Sequence, residues 1–177
     1  MTREAAVLKF IGVAAIAILI FGFGVPEAQA QSKLKVGVIH IGSMTDGGYN
    51  QAHAEGIAVM KKNLPEVEVI EVENVPETAD SERVMESMIK QGAKLIFAAS
   101  FGYLDPALRV AKKYPEVMFV HPAGYKRAPN LTTYWASTPE AFYLMGIAVG
   151  KTTKTNKVGF VCALPVSFFL ANVNALH

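Results

Sequence analysis

Alternation is the feature that most limits how this chain can fold. From Leu34 to Cys162, short apolar runs of strand length alternate with longer stretches of helical periodicity. Leu34–Ile41 reads as a buried strand, Asn50–Leu64 as a helix stopped by Pro65, and Val67–Val72 as a second strand. Thr78–Gln91 places Val84, Met85, Met88 and Ile89 at helical spacing before the terminator Gly92. Leu95–Ala99 is a third, fully apolar strand. Asp105-Pro106 then opens a helix, with Asp as cap, Pro in the first turn, and Leu108, Ala111 and Tyr114 facing inward. Val117–His121, Leu131–Trp135 and Lys157–Cys162 are the remaining predicted strands, the last preceded by a helix over Pro139–Thr152. This alternation predicts an α/β sandwich built on a mostly parallel sheet. Right-handed crossovers put all strand C-termini on one edge, which is where open α/β sheets bind ligands. Three loops on that edge are the candidate site: Gly42–Asn50, Ser100–Asp105 and His121–Tyr125.

Ahead of the first strand, Arg3 and Lys9 precede an apolar run from Phe10 to Phe23, and Ala28-Gln29-Ala30 follows. This order predicts a secretory signal peptide over residues 1–30, cut before Gln31. The uncharged stretch is at the short edge of a spanning helix of ~20 residues, and Gly22, Gly24 and Pro26 interrupt it. Removing residues 1–30 from the 177 leaves 147, with two acids and two bases lost, so the net charge stays +2. That charge is too weak and too dispersed for nucleic-acid binding. Cys162 is the only cysteine, so an intramolecular disulfide is excluded and no lipid anchor can form at the cleavage site. At the end of a predicted strand, Cys162 reads as buried and inert. The expected location is periplasmic or extracellular.

The sequence carries no Walker loop, no G-x-G-x-x-G after the first strand and no G-x-S-x-G. His40 and His53 lack carboxylate or cysteine partners at metal spacing. The expectation is a binding protein without metal or cofactor, not an enzyme. Within the first loop, Asp46-Gly47-Gly48-Tyr49-Asn50 joins a carboxylate, two glycines, a flat ring and an amide at a helix start. That set suits a planar, polar small molecule, although Asp46 and Asn50 are equally good helix caps. Phe101 reads as either core or cleft, and a lone strand-end histidine such as His121 is more often a satisfied structural residue than a ligand group. Trp135 is expected near a hinge. The apolar tail Leu164–Leu170 reads as an unfinished α/β unit, exposed and prone to disorder or aggregation.

With its export signal and first strand, the segment Thr45-Asp46-Gly47-Gly48-Tyr49-Asn50-Gln51-Ala52 resembles the signature of the basic membrane protein (BMP) family. These are substrate-binding proteins of ABC importers, related to nucleoside- and purine-binding lipoproteins. Gly92–Tyr103, Phe119–Tyr125, Ala141–Gly150 and Lys157–Val161 extend the resemblance over essentially the whole mature chain. It implies a type I periplasmic-binding-protein fold, in which two α/β lobes close on a ligand. Residues 31–136 would then be a complete N-terminal lobe, and residues 137–177 the start of a truncated second one. By the resemblance, Tyr49 stacks on a base, Asn50 makes a polar contact to it, and Asp46 is a supporting or ligand-facing acid. Ser100, Phe101 and Gly102 form a second wall. Where nucleoside-binding members place an acid after the fourth strand, this chain has His121-Pro122-Ala123-Gly124, which leans away from ribose recognition toward a free purine-like base or a different small solute. Solute capture for an ABC permease is the implied function, with a purine nucleobase or nucleoside as ligand. A receptor domain feeding a membrane sensor is the alternative.

Overall fold

The computed structural model describes residues 33–177, so the predicted signal peptide lies outside the described residues. The strands are β1 (Leu34–His40), β2 (Val67–Val72), β3 (Leu95–Ala99), β4 (Met118–Pro122) and β5 (Leu131–Tyr134). The helices are α1 (Tyr49–Asn63), α2 (Ala79–Lys90), α3 (Leu104–Lys113), α4 (Pro139–Thr152) and α5 (Ser167–Leu176). The strands form one sheet of order β2-β1-β3-β4-β5, parallel at every pairing. The chain steps from β1 out to β2, then back across β1 to β3. Right-handed crossovers therefore set α1 on one face and α2 and α3 on the other.

The two faces carry separate cores. Ile39, Ile96, Ala98, Phe119 and Leu131 pack under Met85, Met88, Ala107 and Val110 of α2 and α3. Val36 and Val38 pack under Ile57 of α1, with Met60 and Phe97 partly buried beside them. At Gly37 the larger core leaves no room for a side chain, since a Cβ would lie 2.6 Å from Met88 Sδ. Local signals support the helices. Thr78 caps α2 by accepting from the Asp80 N–H, and Gly92, at φ +96°, turns the chain out of it.

Four expectations change. The segment Lys157–Cys162 forms no strand, because among the described residues no neighbouring strand offers it a ladder. Val161 is consequently 98% exposed and Cys162 is exposed rather than buried. The α3 helix starts at Leu104, wound in by a 3-10 turn over Phe101–Tyr103. Asp105 sits in its first turn and pairs with Lys126 at 2.7 Å instead of capping. The apolar tail is helical, with α5 crossing α4 so closely that a Cβ on Gly146 would meet the backbone of Leu176. Trp135 is half-exposed against Phe168, 4.7 Å between ring centroids. The β4–β5 link has no helix. It is pinned instead by Asn130, whose Nδ2 donates to the carbonyls of Ala111, Tyr114 and Val117.

Candidate ligand-binding site

In this strand order the connections from β1 and β3 leave for opposite faces, which opens a crevice at their C-terminal ends. The β1 loop delivers Asp46, Tyr49 and Asn50 to one side of that crevice. The β3 loop delivers Ser100, Phe101 and Gly102 to the other. Asp46 is the organiser of the first side. Its Oδ1 accepts from the N–H groups of Gly48 (2.8 Å) and Gln51 (3.1 Å). Its Oδ2 accepts from the Asn50 N–H (3.2 Å) and Asn50 Nδ2 (2.8 Å). The Asn50 side chain, then the Gln51 and Gly48 amides, hold this carboxyl well below the usual carboxylate range. A carboxylate at the start of α1 also matches the helix dipole. Asn50 is buried, and its Oδ1 accepts from Gly42 N–H at 3.2 Å. Both groups thus knit the loop to the helix. Tyr49 is left as the presented side chain, 41% exposed and 4.5 Å from the His53 ring. His53 Nε2 in turn meets the Tyr134 hydroxyl at 3.0 Å.

The second side contains a residue the sequence reading missed. Glu77, from the segment after β2, accepts from both Ser100 Oγ and Gly102 N–H, the latter at 2.7 Å. The same segment reaches the first side as well. Glu73 Oε2 accepts from Met44 N–H at 2.7 Å, Asn74 N–H donates to the Gly42 carbonyl at 3.3 Å, and Val75 N–H donates to the His40 carbonyl at 3.0 Å. The buried Tyr103 hydroxyl donates to the Val75 carbonyl. Residues 73–78 therefore bridge the two sides. Because they follow a parallel strand, the rule that selected the other three loops selects this one too.

His121 lies behind the second side at the end of β4. It is wholly buried, and among the described residues neither ring nitrogen has a hydrogen-bond partner of good geometry. Backbone groups of Ser100, Phe101 and Pro122 approach the ring, but burial dominates and holds its pKa below the ordinary imidazole value. Phe101 is half-buried and continues into an aromatic row, 6.2 Å from both Tyr125 and Phe168. These three line a cavity of about 480 Å³ with Ala123, Val166 and Ser167. A second cavity of about 460 Å³ lies between α1 and the sheet; Val38, Ile57, Met60 and Phe97 make it largely apolar, and His53 and Tyr134 carry its lining up to the Tyr49 ring at the loop edge. Among the described residues no cluster of side chains could hold a metal ion, and no helix is long and apolar enough to cross a membrane.

Residues 33–175 match the model of a family described as ABC transporter substrate-binding protein, PnrA-like. A purine-binding protein of Brucella abortus is 40% identical over 149 residues, covering 84% of this chain and 43% of that protein. A candidate ABC transporter glucose-binding protein of Haloferax volcanii is 33% identical over 138 residues, covering 78% of this chain and 35% of the relative. Among solved structures, an ABC transporter solute-binding protein of Conexibacter woesei superposes with a TM-score of 0.64 at 25% identity, covering 81% of this chain and 48% of that one. The chain spans less than half the length of each of these proteins.

Proposed function

Because the chain belongs to the PnrA-like family of ABC transporter substrate-binding proteins, we propose that it captures a purine base or nucleoside outside the cytoplasmic membrane for delivery to an ABC permease. In this reading residues 31–136 are the ligand-binding lobe and residues 137–177 open a second one. The observation that carries the ligand class is Tyr49: a half-exposed ring presented at the crevice by a loop whose polar groups are otherwise committed to one another. The 40% identity to a purine-binding protein supports the same class.

The contacts of the crevice set the expected strength. An aromatic stack contributes ~1–3 kcal/mol per base, and each hydrogen bond adds about 0.5–1.5 kcal/mol. With the cost of association set against them, this wall alone gives a Kd of about 1 mM or weaker. Protein-observed NMR titration with adenine, guanosine and glucose tests the reading. Saturable shifts around Tyr49 are expected with the purines, lost in Tyr49→Ala and kept in Tyr49→Phe. Saturation by glucose but by neither purine would overturn the ligand class, and an undiminished response in Tyr49→Ala would overturn the role of the ring.

A further inference from the structure

The structure assigns to Glu77 the selection of the ligand's edge: its carboxylate is the acceptor that the crevice offers to an N–H or O–H donor of an uncharged solute. This rests on the purine reading above and adds a specificity determinant to it. Ser100 and Gly102, taken alone, would make the second wall a pair of donors suited to an oxygen-rich or anionic ligand. Both donors are already used, because Ser100 Oγ and Gly102 N–H converge on Glu77 Oε1. The carboxylate lies over Gly102 so closely that a Cβ there would fall 2.3 Å from Glu77 Oε2 and 2.6 Å from Oε1. Two donors and a bare glycine therefore hold the group in place. Its other oxygen, Oε2, receives no hydrogen bond among the described residues, and Glu77 is solvent-exposed. Behind it, His121 is fully buried, with no hydrogen-bond partner of good geometry at either ring nitrogen among the described residues.

The wall has thus been converted from donor to acceptor, with negative charge. A ligand edge carrying an amine or hydroxyl satisfies it, an edge with no N–H or O–H donor leaves it unmatched, and a phosphate is repelled. Glu73, held by Met44 N–H on the opposite loop, adds to that repulsion. Amino-purines fit this pattern and phosphorylated nucleotides do not. A ribose hydroxyl could supply the same donor, and the choice of probes separates the two sources.

Glu77→Gln is the decisive variant because it preserves the anchor while reversing the exposed atom. The Gly102 N–H can only donate, so it fixes the amide oxygen inward and leaves the NH₂ facing the crevice. The whole chain is titrated by NMR with adenine, unsubstituted purine (which lacks the 6-amine), adenosine monophosphate and ribose. Wild type should prefer adenine to unsubstituted purine and bind the monophosphate least. In Glu77→Gln that preference should fall about tenfold and the exclusion of the monophosphate should relax. If Glu77 only shapes the loop, both bases will weaken together with their ratio unchanged, and that overturns the assignment while leaving the purine reading intact. Ribose binding that alone responds to Glu77→Gln overturns the amine edge in favour of a hydroxyl. If no purine saturates the wild-type chain, the purine reading fails first and this inference fails with it.

Discussion

Replacing Gly102 with alanine separates the stability of the crevice wall from its chemistry. The new Cβ would stand 2.3 Å from Glu77 Cδ and Oε2 and 2.6 Å from Oε1, far inside contact distance. All three atoms belong to the end of a flexible side chain, so the carboxylate can swing outward and the backbone can stay. The change removes the hydrogen bonds from Ser100 Oγ and Gly102 N–H. At about 0.5–1.5 kcal/mol net for each, the loss is roughly 1–3 kcal/mol. Stiffening of the unfolded chain by Gly→Ala offsets about 0.4–1 kcal/mol, because Gly102 needs no left-handed backbone. The net destabilisation is therefore about 1 kcal/mol, equivalent to roughly 2–4 °C in a domain of this size. Thermal unfolding by circular dichroism reads that shift, and amide spectra read the wall. Ser100 and Gly102 resonances should move strongly while those of the sheet core stay in place. A melting temperature more than ~10 °C lower would show that the Cβ meets something that cannot yield. Unmoved Ser100 and Gly102 signals would show that Glu77 does not rest on them.

Two other expectations concern the fold beneath the site. Burial holds the imidazoles of His40 and His121 below their ordinary value of 6.5, against the raising influence of Glu71 on the first and of nearby backbone and Glu77 on the second. The unfolded chain therefore binds more protons just below pH 6.5, so this stability is fully present above that pH and is lost as pH falls toward the folded values. Urea midpoints should drop between pH 7.5 and 5, and less so in His121→Asn. An equal drop in that variant would refute the buried neutral form of His121. At Gly37, alanine would press on Met88 Sδ at 2.6 Å and Ile96 Cδ1 at 2.7 Å. Overpacking of this kind destabilises by about 1–3 kcal/mol, and an unchanged urea midpoint would mean that α2 does not sit against β1 as described.

Five strands and the first four helices were legible because each rests on local periodicity and nearby stops, as with Thr78 and Gly92 around α2. Lys157–Cys162 was misread for a physical reason: an apolar run has strand propensity, but a strand exists only with a partner. Asp105 has cap chemistry, yet the buried Tyr103 pulls the helix start earlier by winding residues 101–103 into a turn. In the crevice, the sequence placed Asp46, Tyr49 and Asn50 at one helix start, but not the division of labour among them. Two are consumed by internal hydrogen bonds and one is presented. Glu77 escaped notice because an acid in a loop reads as solvated. Its partners lie 23 and 25 residues ahead, and no local pattern encodes that reach.

Segment 73–78 has a consequence for how the crevice moves. It is bonded to the β1 loop through Met44 and Gly42 and to the β3 loop through Ser100, Gly102 and Tyr103. Neither loop can leave its place without breaking bonds to this shared segment. These shared bonds predict that the two sides of the crevice open as one cooperative unit, with amides that exchange with solvent together rather than loop by loop. A solute that engages only one side would slow exchange on both.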